Sequence, residues 1–244
     1  MAEKIGMVSL GCPKNQVDAE RMLYLLKEAG YEITPEEEKA DVIIVNTCGF
    51  IESAKSEAIE NIVDIAGYKK NGNLKSIIVT GCLAERYKEQ IISEMPEVDA
   101  VLGLGANKDI VDTVNKVLLG EKVESFPEKT KLPLRGDRIL TTPLYTAYLK
   151  VAEGCDNRCT YCAIPDIRGS FRSVPIDECV KEAMHLAKMG VKEIVVVAQD
   201  TTNYGSDLYG VPSLTRLLKE LCKIEGIEWI RTLYTYPDKI TDEL

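Results

Sequence analysis

The sequence predicts an α/β protein in two parts. A doubly wound, flavodoxin-like parallel sheet is expected over residues 1–120, then a linker at 121–143, then the first part of a (β/α) barrel over 144–244. Two observations carry this. Short runs of β-branched and aliphatic residues recur at 5–10, 42–46, 76–80 and 99–102 with helical-period stretches between them, the pattern of βαβ units whose strands are covered on both faces. The alternation then stops at 121–143, where three prolines and scattered charges show little periodicity, and resumes beyond it.

Taken in order, the first helical stretch puts Val17, Met22, Leu25 and Leu26 on one face, and the second does the same with Ile59, Ile62, Val63 and Ala66. Ile110, Val111, Val114, Val117 and Leu118 repeat the pattern before Gly120 stops the helix. In the second part, strands are expected at 145–151, 193–198 and 228–234. A helix at 175–188 turns Ile176, Cys179, Val180, Ala183, Met184 and Ala187 inward, and another spans 214–224. Three strands make only part of a barrel, so the sequence is expected to stop short of closure.

Composition narrows the class. With 45% apolar and 28% charged residues the chain is neither disordered, collagenous nor a coiled coil. It has no apolar run near the roughly 20 residues of a membrane span and no signal-peptide pattern at its start, so a cytoplasmic protein without membrane contact is expected. Lys and Arg total 30 against 39 Asp and Glu, and the net charge of −9 repels phosphate backbones and favours a basic partner. Eight cysteines in such a compartment point to metal or catalytic roles before disulfides.

Cys155, Cys159 and Cys162 are the strongest local signal. They follow the first strand of the second part, at the carboxyl rim where α/β sites form. Three thiolates on one loop can hold three irons of a 4Fe-4S cluster and leave the fourth open to a substrate or cofactor. A helix face of small residues would give the same spacing, but Gly154, Asp156, Asn157 and Pro165 favour a turn. Structural zinc wants a fourth ligand, and the single histidine, His185, falls on a predicted helix. A second set is dispersed: Cys12, Cys48 and Cys82 each follow a strand, and in a parallel sheet those ends share one edge. Free cysteine is often simply buried, yet strand, turn and thiol recur three times.

Other signals carry less. Cys179 and Cys222 read as core residues and His185 as helix surface, while the glycines at 103 and 105 lack the third of a dinucleotide fingerprint. Arg158, Arg168 and Arg172 make the cysteine loop basic, either as a solvated face or as receivers of a carboxylate. Gln199 and Asp200 end the second strand of this part, which places them within reach of a bound cofactor or makes them ordinary rim polarity.

Cys155, Cys159, Tyr161 and Cys162 resemble the signature of radical S-adenosylmethionine enzymes. The resemblance implies that the open iron chelates S-adenosylmethionine, that an electron cleaves it to a 5′-deoxyadenosyl radical, and that Tyr161 lies beside the adenine. Residues 9–20, Asn46-Thr47-Cys48 and Thr80-Gly81-Cys82 are similar to the amino-terminal domain of the methylthiotransferases, which implies a second 4Fe-4S cluster on Cys12, Cys48 and Cys82. That family continues through the rest of the barrel into a TRAM domain, and neither is in this sequence. Cys12-Pro13-Lys14-Asn15 and residues 198–205 are similar to the branch that adds a methylthio group to the β-carbon of an aspartate in a small-subunit ribosomal protein. An external electron donor and a monomeric chain are expected with it. The same chemistry on tRNA adenosine is the alternative, disfavoured by the acidic charge and by the absence of Gln-Met-Asn after the first cysteine. A noncatalytic metal-binding or electron-transfer protein is the alternative of another class.

Overall fold

The structure, a computed structural model, describes residues 2–244 and divides into two compact units, the first running to Ile139 and the second Leu140–Leu244. The first unit follows the order β1 (Lys4–Ser9), α1 (Pro13–Glu28), β2 (Glu32–Ile33), β3 (Val42–Thr47), α2 (Glu52–Asn71), β4 (Ser76–Gly81), α3 (Cys82–Arg86), α4 (Lys88–Glu94), β5 (Ala100–Leu102), α5 (Ile110–Leu118) and β6 (Val123–Ser125). Its six strands are all parallel, ordered β2-β1-β3-β4-β5-β6.

The strand sequences explain this sheet. Every residue of β3 and β4 is buried, because alternate side chains feed two different cores. Ile43, Val45, Ile77 and Val79 pack with Ala58, Ile62 and Ile65 of α2 and with Leu83 and Ile91 of the helices that follow β4. Val42, Ile44 and Ile78 face the other way, onto Met22 and Leu26 of α1 and Ile110, Val114 and Val117 of α5. The chain winds to one side of β1 for β2 and to the other for β3, so the order reverses between β1 and β3, the position where open α/β sheets form a crevice beyond their carboxyl ends.

Two expectations are corrected here. The linker expected at 121–143 is mostly part of the first unit: β6 pairs with β5 and Leu132 is buried. A three-residue edge strand with no fully buried position has no alternation to reveal it. On α2 the buried stripe is Ala58, Ile62 and Ile65, and Ile59 and Val63 are exposed.

The second unit contains β7 (Thr146–Lys150), β8 (Ala152–Glu153), α6 (Ile164–Arg168), β9 (Arg172–Ser173), α7 (Ile176–Lys188), β10 (Glu193–Val197), α8 (Ser206–Tyr209), α9 (Leu214–Leu221) and β11 (Trp229–Thr232). The strands β7, β10 and β11 form a parallel sheet with β10 central, and β8 and β9 make a small antiparallel pair after β7. This is the βαβαβ order expected of a partial (β/α) barrel. Cys179 is buried as expected, but Cys222, expected in the core, is exposed, because α9 ends at Leu221 and the chain turns there. Met184 is likewise exposed, and Leu186 takes the inward position. Among the described residues, no helix is long and apolar enough to cross a membrane.

Candidate metal centres

The dispersed thiols lie beyond the carboxyl ends of neighbouring strands. Cys12 caps the start of α1 three residues after β1, Cys48 directly follows β3, and Cys82 opens α3 directly after β4, and these three strands are neighbours in the sheet. Gly11 has φ +98°, and a Cβ built there would lie 2.7 Å from Cys48 Cβ and 3.2 Å from its Sγ. Only glycine lets the chain before Cys12 approach Cys48 so closely in that left-handed conformation.

Asn15 joins the three strand ends. Its Nδ2 donates to Leu10 O at 3.1 Å, just past β1, and to Thr47 O at 2.8 Å, at the end of β3, while Cys82 Sγ donates to its Oδ1 at 3.6 Å. Asn46 Nδ2 donates in turn to Asn15 O at 2.7 Å. Thr47 Oγ1 donates to Thr80 O at 2.6 Å, and Thr80 Oγ1 to Asn107 Oδ1 at 2.8 Å, so the edge that carries the cysteines is cross-tied. Sequence reasoning gave these amides no such role, because it depends on long-range contacts. Asn15→Leu is expected to remove this donor from the carbonyls of Leu10 and the buried Thr47 and to lower stability by about 1–3 kcal/mol, read as a fall in the urea midpoint.

The local thiols sit on one loop, 154–162, between β8 and α6. Gly154 has φ +74° and its α-carbon lies against the carbonyls of Gly169 and Ser170, leaving no room for a Cβ, and Cys155 N donates to Gly169 O at 3.0 Å. Burial pushes the Cys155 thiol above its ordinary pKa, and the nearby Cys162 and Cys159 thiols, with Asp200, push the same way. Cys159 Sγ lies 3.9 Å from Tyr236 OH, whose pKa is pushed up to about 12, first by burial and then by its contact with Cys159.

Asp200 fastens this loop to the sheet. Its Oδ2 accepts from Asn157 Nδ2 at 2.7 Å and pairs with Lys239 Nζ at 2.5 Å, while its Oδ1 accepts from Thr202 Oγ1 at 2.5 Å and Asn203 N at 3.2 Å. Lys239 Nζ also donates to Asn157 Oδ1 at 3.0 Å. Burial raises the carboxyl pKa, but Lys239, Thr202 and Asn157 together hold it below the ordinary carboxylate range. Both oxygens are thus engaged inside the protein, and the side chain is buried. Gln199 is half-buried at the end of β10, and Tyr161 projects from the loop at 81% exposure.

The basic character of the loop is corrected in part. Arg168 is neither a solvated cation nor a receiver of substrate: it is fully buried with Glu153 and Lys150. Its Nη1 donates to Glu153 Oε1 at 2.9 Å and Oε2 at 2.8 Å, Lys150 Nζ donates to Oε2 at 2.9 Å, and Gly154 N to Oε1 at 3.1 Å. Arg158 is exposed with φ +46°, and Arg172 lies in β9.

Among the described residues, no three His, Cys, Asp or Glu side chains are drawn close enough to hold a single metal ion. A cubane carries its irons at separate corners, so thiols that take one iron each stand farther apart than thiols sharing one ion. Each set offers three thiols, a donor set that suits three irons of such a cluster.

Comparison with known proteins agrees with this geometry. Residues 4–103 match the "Uncharacterized protein family UPF0004", and residues 149–243 match the Radical SAM superfamily. Among solved structures, the radical S-adenosylmethionine methyltransferase TsrM from Kitasatospora setae matches with a TM-score of 0.62 at 13% identity, over 90% of this chain and 52% of that one, which shows a shared fold. Residues 149–243, which carry the cysteine loop, thus match a radical S-adenosylmethionine domain.

Curated relatives narrow the family. The chain is 54% identical over 99% of its length to "Ribosomal protein uS12 methylthiotransferase RimO" of Lachnoclostridium phytofermentans, and 53% identical over 98% to the protein so named in Desulforamulus reducens. It spans about 55% of the length of the first and 54% of the second. Over nearly its whole length the chain is thus similar to methylthiotransferases about twice as long.

Proposed function

We propose that the chain is the cluster-bearing part of an enzyme that adds a methylthio group to the β-carbon of an aspartate in a small-subunit ribosomal protein. The observation that carries this is the pair of separate three-thiol sets, one beyond the carboxyl ends of the parallel strands β1, β3 and β4 and one on the loop after β8, in a chain 54% identical to a relative named as a methylthiotransferase of ribosomal protein uS12. Cys155, Cys159 and Cys162 would hold one 4Fe-4S cluster, with its open iron toward S-adenosylmethionine, and Cys12, Cys48 and Cys82 the other. When bound, the first supplies an electron to S-adenosylmethionine and the second a place for the incoming sulfur.

The chain's own residues position these groups. The Asp200-Asn157-Lys239 contacts fix the cysteine loop against β10, so Asp200 is assigned to holding that loop. Tyr161 stands clear of the protein, where its ring can lie on an adenine, and Gln199 lies at the same rim. The β-carbon of aspartate has no acid-base route to activation, which is why the chemistry falls to a cofactor radical, with an external one-electron donor to start it.

A basic ribosomal protein suits a chain of net charge −9 better than tRNA does. The test is to incubate the full-length enzyme that contains this chain, reconstituted anaerobically, with S-adenosylmethionine, a reductant and either ribosomal protein uS12 or tRNA, and to weigh both. The mass of a methylthio group is expected on the protein. Its appearance on tRNA, or on neither, would contradict the proposal.

A further inference from the structure

The segment that follows β11 is tied to the end of β10 and brought to the cysteine loop. Tyr234 turns the chain there with φ +63°, a costly conformation for a bulky residue, and the surrounding contacts impose it. Thr201 N and Oγ1 donate to Tyr234 O at 3.0 and 3.1 Å, and Thr201 Oγ1 also to Leu233 O at 2.8 Å. Tyr236 N then donates to Thr202 Oγ1 at 3.3 Å, and Lys239 is held by Asn157 and Asp200.

Tyr236 is the side chain that this turn delivers to the loop. The Lys239 ammonium stands 5.1 Å from the centre of its ring, the Asn157 side chain is hydrogen-bonded to its hydroxyl, and that hydroxyl lies 3.9 Å from Cys159 Sγ. While Cys159 is a thiol, either atom can donate across that gap. A cysteine that holds iron is a thiolate with no proton to give, so the phenol must then be the donor. Hydrogen bonds to the sulfurs are among the features that set the potential of an iron-sulfur cluster. Such a bond strengthens as the sulfur gains negative charge, so it favours the cluster with one electron more.

Resting on the reading that Cys155, Cys159 and Cys162 hold a 4Fe-4S cluster, we propose that Tyr236 is a positioning residue acting through Cys159. Its hydroxyl donates to the ligating thiolate and makes it easier for that cluster to take up its electron. The electron comes from the external one-electron donor, which is oxidised as the cluster is reduced, and the phenol keeps its proton throughout.

The test is an anaerobic redox titration, followed by electron paramagnetic resonance without S-adenosylmethionine. It uses the full-length enzyme that contains this chain, carrying Cys12→Ala, Cys48→Ala and Cys82→Ala so that a single cluster is loaded. Tyr236→Phe keeps the ring against Lys239 and removes only the hydroxyl. It is expected to bind about four irons, as its parent does, and to move the midpoint to more negative potential. The expected shift is about tenfold in the ratio of reduced to oxidised cluster, 59 mV for one electron. With 3-fluorotyrosine at position 236, a more acidic phenol and a stronger donor, the midpoint should move the other way, which a merely structural role for the ring would not produce. A Phe variant at the parent's potential, or a fluorinated variant that moves with it, would overturn this inference alone. A folded parent that binds no iron would overturn the cluster reading, and this inference with it.

Discussion

Replacing Cys155, Cys159 and Cys162 together by alanine is expected to abolish reductive cleavage of S-adenosylmethionine to 5′-deoxyadenosine and to lower bound iron from about eight to about four per chain. Each set of thiols is built on its own strands, β1, β3 and β4 for one and the loop after β8 for the other, so losing one leaves the other's framework intact. Iron and sulfide analysis with product chromatography checks both halves. Loss of all iron in this variant, with the fold retained, would show that the sites are not independent.

The second large effect is on stability. Glu153→Ala is expected to destabilise the protein by roughly 3–5 kcal/mol, because it leaves the guanidinium of Arg168 and the ammonium of Lys150 buried without their shared carboxylate. It also frees the amide of Gly154 at the start of the cysteine loop, so the variant should reconstitute poorly even where it folds. Burial alone would raise the Glu153 pKa, but Arg168 and then Lys150 overcome it and hold the carboxyl well below the ordinary range. A depressed folded pKa means that the stabilisation is complete above the unfolded carboxylate's pKa and is lost as the pH falls through the folded one. The stability gap between wild type and Glu153→Gln should therefore stay flat from neutral pH to about 5 and narrow only in stronger acid. The apolar triple variant Lys150→Met, Glu153→Leu, Arg168→Met should recover much of the loss, since no charge is then left buried. Urea unfolding across pH measures all of this, and an Ala variant as stable as wild type would dismiss the triad as a stabilising element.

Much of this was legible in the sequence for a physical reason. A strand covered on both faces must be apolar throughout, so β3 and β4 announce themselves, and a thiol placed directly after each is visible as a repeat. The edge strands β2 and β6 were not legible, because two or three residues of mixed exposure carry no period. The face of α2 was misread because aliphatic residues occur all round it, and the stripe that is buried is Ala58, Ile62 and Ile65 in place of Ile59 and Val63. Arg168 and Glu153 look like surface charges in sequence, and become a buried pair only because α6 returns the chain onto β8. Asn15 and Asp200 stood inside motifs that drew attention for other reasons. Their work as ties between distant strand ends is set by contacts 32 and 43 residues apart, beyond any local pattern.

The central claim is that the two sets of thiols serve separate steps of one reaction. It is tested most directly by the Cys12→Ala, Cys48→Ala, Cys82→Ala variant of the full-length enzyme, reconstituted anaerobically and supplied with S-adenosylmethionine, reductant and ribosomal protein uS12, with 5′-deoxyadenosine and methylthiolated protein measured in the same reaction. The account predicts that 5′-deoxyadenosine still forms while methylthiolated protein falls below detection. Methylthiolated protein at the wild-type level, or loss of 5′-deoxyadenosine from a folded variant that retains four irons, would contradict it.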